Sequence, residues 1–179
     1  MRPVSSAITP RALTVSLGGN GKVYDGTLAY DGASFVLGNV VAGDNLSVSG
    51  SAAFLREHAT EELVHMHKLF DYVCETGAQA TLETVKAPPA NYESLGDVFK
   101  KTYEHELQIT AAINQLVAAA LAEQDFSTFQ FLQWYVSEQH EEERLFKSIL
   151  DKIDVIGLDG KGIYFLDKEI RKLAGQTTV

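Results

Sequence analysis

The stretch from Leu132 to Phe146, LQWYVSEQHEEERLF, decides how this chain folds. Taken every third or fourth residue, Thr128, Leu132, Tyr135, Gln139, Glu142, Phe146, Ile149 and Ile153 step by 4-3-4-3-4-3-4. That is the spacing of a helix face turned into a bundle core. Gln139 and Glu142 stand in the middle of this face. A carboxylate among apolar side chains is costly unless it is paired or bound to a metal. The chain is therefore expected to supply partners for it from other helices.

Two such helices can be read upstream. The first is predicted from about Ser51 to Glu75, stopped at Gly77, a residue suited to the left-handed position after a helix. Its stripe is Leu55, Ala59, Glu62, Met66, Leu69 and Val73, with Glu62 at a core position and His65 one turn further on the same side. Glu61 flanks the seam. A connection, 78–92, contains Pro88-Pro89 and is long for a helix linker. Ser94 is a plausible N-cap for the second helix, which runs to about Glu123. Its stripe is Leu95, Phe99, Thr102, Glu106, Ile109, Ile113, Leu116 and Ala120, with Glu106 the one acid in the seam.

The third helix, capped by Asp125 or Ser127, ends near Ile156, before Gly157 and Gly160. A short amphipathic helix follows over about 163–173, with Ile163, Leu166, Ile170 and Leu173 on one side, and the tail AGQTTV is expected to fray. Glu62, Glu106 and the Gln139/Glu142 pair each fall about 18–22 Å from their helix starts at about 1.5 Å per residue. Antiparallel helices of matched length would bring them to one level. A purely structural polar layer is the alternative, but several ligand-type groups at one level favour a metal centre. Carboxylates with an imidazole suit hard or borderline divalent ions. Glu62-x-x-His65 is half of the ligand pattern of di-iron carboxylate bundles, with Glu106 as a lone glutamate. Gln139-x-x-Glu142 stands where the second Glu-x-x-His would be.

Composition narrows the function classes. The chain has 179 residues, is 45% hydrophobic and carries a net charge of −9, so it can bury a core, and nucleic acid and anionic membranes are disfavoured as partners. No apolar run is long enough to span a bilayer, and MRPVSSAITP lacks a signal-peptide core. A single cysteine, Cys74, excludes an internal disulfide and suits a reducing, cytoplasmic location. It is expected to be a small buried residue at a helix end.

The chain changes character at Gly50. Residues 1–49 hold seven of the fourteen glycines and only six charged residues, net neutral. Ala12–Leu17 alternates as a half-buried strand does. Val23–Tyr30 around Asp25-Gly26, then Phe35–Leu37, Val40-Val41 and Leu46–Ser49, also read as short strands. Asp25, Asp31 and Asp44 read as turn residues, not ligands. Two parts are expected: a β-rich segment over 1–49 and a helical domain over 50–179.

Two resemblances add to this reading. The motifs HATEELVHM (His58–Met66), TYEHELQIT (Thr102–Thr110), FLQWYVSEQHEEERLFKSILDK (Phe131–Lys152) and GIYFLDKE (Gly162–Glu169) resemble those of the bacterial non-haem ferritins, over about 125 residues from Ser51 onward. That family oxidises Fe(II) with oxygen at a dinuclear centre and stores ferric mineral in a shell of twenty-four subunits. By position, the resemblance implies Glu62 as the bridging carboxylate and His65 on the first iron. It places Glu106 and Glu142 on the second iron and lines the centre with Gln139. Glu61, Glu138 and Glu141 would form a third iron site. Trp134 is matched as a packing residue, His140 reads equally as a surface residue or a ligand, and the last helix resembles the one lining the shell's four-fold channel.

The segments ITPRALTV (Ile8–Val15), KVYDGT (Lys22–Thr27) and VAGD (Val41–Asp44) resemble part of a YDG-type β-repeat of bacterial filamentous adhesins. This implies a structural module with no catalytic residues.

The sequence departs from the ferritin pattern at its start. The family opens with a long helix that supplies another glutamate to the first iron, a nearby tyrosine and much of a subunit contact. Here 1–49 stand in its place, joined near Gly50, as in a fusion or chimera. The expected fold class is mainly α: a ferritin-like bundle of three long helices and a short C-terminal one, with a β-rich segment in place of the first helix. The expected function is iron storage with ferroxidase activity, with Fe(II) and oxygen as partners and a homo-oligomeric shell. The alternative is a catalytically impaired ferritin remnant that acts as a structural or iron-binding protein.

Overall fold

A computed structural model describes residues 49–81, 87, 89 and 91–173, together with the backbone of 14–18 and 34–38. The elements, in order, are β1 (Thr14–Gly18), β2 (Ser34–Gly38), α1 (Ser49–Glu75), β3 (Asn91–Tyr92), α2 (Leu95–Ala122), α3 (Phe126–Ile156) and α4 (Gly160–Arg171). The fold is mainly α, with three long helices and a short fourth. The chain divides into two compact units: 1–92 with 159–179, and 93–158.

The unit 93–158 is a helical hairpin. Ser94 caps α2, its side chain accepting from the Asp97 N–H, and Asp125 caps α3, accepting from the Thr128 N–H. These side chains satisfy amide donors that have no partner inside the helix. Between the helices Gln124 takes φ 58°, a left-handed conformation that reverses the chain within three residues. A connection this short makes α2 and α3 neighbours.

The hairpin core holds Ile113, Ala120, Leu132 and Tyr135, flanked by Ile109, Val117, Phe129, Phe131, Trp134 and Val136. Phe99 and Phe146 are fully buried, their rings 6.4 Å apart and tilted by 42°. The buried residues of α3 are Leu132, Tyr135, Gln139, Glu142, Phe146, Ile149 and Ile153. These are the expected stripe less its first member. On α2 the expected stripe needs one correction. Leu116 is 48% exposed, and Val117 packs on the core instead. Both registers are apolar in this part of α2, so periodicity alone does not separate them.

In the other unit, α4 is tied to the start of α1. Asp167 accepts from the Gly50 N–H at 2.9 Å, the Ser51 N–H at 2.7 Å and the Ser51 hydroxyl at 2.9 Å. A carboxylate at a helix N-terminus satisfies amide donors and complements the helix dipole. A Cβ on Gly50 would lie 2.3 Å from the Asp167 carbonyl oxygen, so only glycine admits this approach.

The buried edge of α1 is Gly50, Ser51, Phe54 and His58. The expected stripe was Leu55, Ala59, Glu62, Met66, Leu69 and Val73, of which Leu55, Glu62, Met66 and Val73 are half-buried. Ala59 and Leu69 are exposed, and the true edge lies one residue earlier, set by docking against Asp167. Gly77 takes φ 82° after α1, as its position predicted. Cys74 is exposed, which corrects its expected burial, because it lies on the side of α1 away from that edge.

The strands form an antiparallel sheet of order β2-β1-β3, with Val15 opposite Leu37 on one side and Tyr92 on the other. Strands β1 and β2 overlap two of the expected stretches, 12–17 and 35–37. Those expected at 23–30 and 40–41 lie outside the described residues, as do the turn aspartates Asp25, Asp31 and Asp44 and the tail 174–179. The stretch 46–49 runs into the first residue of α1. No described helix is long and apolar enough to cross a membrane.

Candidate metal centre

The expected ligands fall on both units, and each unit has its own local geometry. In the hairpin, the 4-3 spacing of α3 turns Gln139 and Glu142 inward between Tyr135 and Phe146. Glu142 is 2% exposed, Gln139 5% and Glu106 4%, so three polar groups occupy a seam that is otherwise apolar. The Gln139 amide donates to the Glu106 carboxylate at 3.2 Å, to the Glu106 carbonyl at 3.3 Å and to the Thr110 hydroxyl at 3.4 Å. This contact between α2 and α3 holds the Glu106 side chain in place.

Tyr135 is buried beside this seam, its ring edge-on to Trp134 with centroids 4.8 Å apart. Burial pushes its phenol up to about 12, because the charged phenolate is disfavoured away from water. Glu138 is half-buried, while Glu141 and His140 are exposed on α3. Trp134 is half-buried and packs against the hairpin core, the packing role expected of it.

On α1, Glu61, Glu62 and His65 lie on one side of the helix. The Glu62 carboxylate approaches His65 Nδ1 at 3.5 Å, and the Glu62 side chain is 43% exposed against 15% for His65. The residue that sequence reasoning passed over is His58. It is buried, its Nε2 lies 3.6 Å from Glu62 Oε1, and its Nδ1 lies 3.6 Å from Glu61 Oε2. Its ring stacks on Phe54 at 6.1 Å with planes 5° apart. The signal was present in the sequence: His58-x-x-Glu61-Glu62-x-x-His65 places all four side chains within about one helical face. Thr110 was passed over as well, and it lies one turn beyond Glu106 on α2.

Such a set of carboxylates, imidazoles and an amide is a donor set for a hard or borderline divalent ion. The buried acids of the hairpin and the His/Glu face of α1 are the two groups of side chains in the described residues best suited to that chemistry.

The comparisons with known proteins point the same way. The family model for a ferritin-like domain matches residues 40–156. The bacterial non-heme ferritin of Escherichia coli is 56% identical over 127 residues, covering 71% of this chain and 77% of that protein. The one from Campylobacter jejuni is 54% identical over 128 residues, covering 72% and 77%. Among solved structures, an open pore ferritin from Archaeoglobus fulgidus superposes with a TM-score of 0.67 at 42% identity, covering 70% of this chain and 77% of that one. A Chlorobium tepidum ferritin gives 0.58 at 52% identity, covering 68% and 74%.

Proposed function

We propose that this chain, which belongs to the ferritin family, is an iron-storage protein that oxidises Fe(II) with oxygen and keeps the ferric product. The observation that carries the reading is the buried Glu106–Gln139 contact with Glu142 one turn along α3. Carboxylates in an apolar seam are costly unless they are paired or bound to a metal. Iron is here a substrate that enters, is oxidised and leaves as mineral.

In this reading Glu62 is the bridging carboxylate and His65 binds the first iron. Glu106 and Glu142 bind the second, and Gln139 positions Glu106 through its amide. Glu61, Glu138 and Glu141 form a third, more exposed iron site that feeds or drains the centre. Two Fe(II) become two Fe(III) by supplying two electrons to one oxygen molecule, which takes up two protons from water and leaves as hydrogen peroxide. The carboxylates favour the more highly charged ferric state, because anionic oxygen ligands stabilise the higher charge. The rate of ferric-oxo absorbance on adding Fe(II) in air tests this. Glu62→Ala and Glu106→Ala are expected to lower it at least 10-fold, and wild-type rates in both would sink the assignment.

The finer features belong to the same proposal. The β-rich segment 1–49 stands where the family's first helix would be and resembles a YDG-type repeat, so we read the chain as a fusion at about residue 50. Assembly is proposed to be a shell of twenty-four copies, with α4 at the four-fold positions. The single cysteine favours a cytoplasmic setting. A second reading is an impaired remnant that binds iron without turnover. It is favoured by β1 and β2 standing in the N-terminal region where the family's ligand-bearing helix belongs. Iron binding with no oxidation above buffer, together with a small oligomer, would select it.

A further inference from the structure

We propose that Asp167 of α4 is a positioning residue for the metal ligands of α1: its grip on Gly50 and Ser51 sets the rotation of that helix about its axis. It rests on the reading of Glu62 and His65 as iron ligands and adds the residue that orients the helix carrying them. Both helices lie in the one unit formed by 1–92 and 159–179.

The sequence of α1 leaves its rotation open. Phe54 and His58 form the buried edge, while Leu55, Met66 and Val73, one residue out of step, are half-buried. Two edges about 100° apart therefore compete. A turn from the first to the second would carry His58 outward and draw Ala59 and Glu62 inward.

The hold on this rotation comes from far along the chain. Helices α2, α3 and α4 are capped by Ser94, Asp125 and Asp159, each adjoining its own helix. Helix α1 has no acidic residue in its first turn. Instead, Oδ2 of Asp167 accepts from the Gly50 N–H, and Oδ1 accepts from the Ser51 N–H and hydroxyl. Consecutive residues stand about 100° apart around a helix, so two adjacent N–H groups on the two oxygens of one carboxylate admit a single angle. A cap beside its own helix satisfies donors but turns with the helix; this one ties α1 to a second element. Leu166 and Ile170, on the same side of α4, are fully buried, which keeps water from the carboxylate and strengthens its bonds.

The angle set at the first turn is carried to the ligands. Glu61, Glu62 and His65 lie about three to four turns beyond Gly50. Between them α1 has no proline or further glycine to absorb a twist, so the helix turns as one body.

The test is modification of metal-free, full-length protein with diethyl pyrocarbonate, read residue by residue by mass spectrometry, alongside the EPR line shape of a nitroxide on Cys74, the single cysteine. In the wild type the buried His58 is expected to react slowly and the exposed His67 quickly. In Asp167→Ala, His58 is expected to react several-fold faster, with His67 unchanged. Cys74 adjoins Val73 of the competing edge, so its nitroxide is expected to be slowed. The Co(II)-binding step that Glu62→Ala abolishes is expected to weaken roughly 10–100-fold, the scale set by displaced ligands. Wild-type reactivity at His58 with a wild-type line shape at Cys74 would overturn the inference, as would a turned helix with wild-type Co(II) affinity.

If Asp167→Ala loses helicity by circular dichroism, the second arm is Asp167→Ala combined with Ser49→Asp. That variant returns a carboxylate to the first turn of α1 but leaves the helix untied to α4. A fast-reacting His58 with a weakened Co(II) step supports the inference. Wild-type behaviour in both would show that Asp167 only caps the helix, and would overturn it. Wild-type Co(II) affinity in Glu62→Ala would overturn the iron assignment on α1 itself. A Glu62-dependent step that does not respond to Asp167→Ala would overturn this inference alone.

Discussion

At the scale of single residues, Gln139 has the most specific role. Its amide donates to a carboxylate that is 4% exposed, and a glutamate in its place would set a second acid against Glu106. Gln139→Glu is expected to lower the melting temperature of metal-free protein, because like charges in a shared buried site oppose ionisation. Adding Co(II) should restore most of the loss. A melting temperature that is equally low with and without metal would show that Gln139 is only a packing residue.

Tyr135 gives a pH prediction with a definite sign. Its folded value of about 12 lies above the ordinary tyrosine value of about 10. Its contribution to stability is therefore intact below pH of about 10 and is lost as pH rises toward 12. Phenolate absorbance should report one tyrosine titrating late, and chemical denaturation should show stability falling across the same window. Tyr135→Phe should remove that step.

The pattern of α3 was fully legible at this scale. Gln139 and Glu142 were expected at core positions and are buried there, because the Leu132, Tyr135, Phe146, Ile149 and Ile153 side chains on the same face turn it inward. His58 was legible as a neighbour of Glu61 and Glu62 but not as a buried residue: it sits among Arg56, Glu57, Thr60 and Glu61, a polar run that reads as solvent-facing.

At the scale of elements, the start of α1 shows how tertiary contacts choose between registers. Phe54 and Leu55 are adjacent, and Val64 and Leu69 remain 50% and 37% exposed, so α1 is apolar on more than one side. Periodicity admits two stripes roughly 100° apart. The Asp167 carboxylate, holding Gly50 and Ser51, selects the one through Phe54 and His58. Asp167→Ala is expected to destabilise the protein by about 2–3 kcal/mol, since it leaves buried donors unsatisfied, read from urea unfolding. Gly50→Ala should be comparably harmful through its contact with the Asp167 carbonyl.

In the hairpin, Phe146→Ala should cost about 3–5 kcal/mol by opening a cavity against Phe99. The helix ends were better determined than the faces. Gly77, Ser94, Asp125 and Gly157 all occupy the terminal positions expected of them. Capping is decided by one residue's own hydrogen bonds or its tolerance of positive φ, and so does not depend on distant parts of the chain.

At the scale of the whole molecule, several large apolar side chains remain at the surface, among them Leu107, Leu121, Tyr164 and Phe165. In a member of a shell-forming family these are candidates for contact between copies. Tyr164→Lys with Phe165→Lys on α4 is expected to shift native mass spectra toward smaller species while leaving helicity unchanged. Unaltered assembly in that variant would remove α4 from the proposed four-fold contact.

The amino-acid sequence by itself determined the three long helices and their caps, the buried acid seam of α2 and α3, and membership of the ferritin family. Each is written in short-range periodicity or in a continuous run of matched residues, and neither requires knowing what lies across the chain. Only the tertiary structure decided which face of α1 is buried, that Val117 and not Leu116 packs on the hairpin, that Cys74 is exposed and that His58 is buried. These outcomes depend on contacts between residues far apart in sequence, above all Asp167 with Gly50 and Ser51. Where two helix faces are equally apolar, such contacts supply the free-energy difference that local pattern does not.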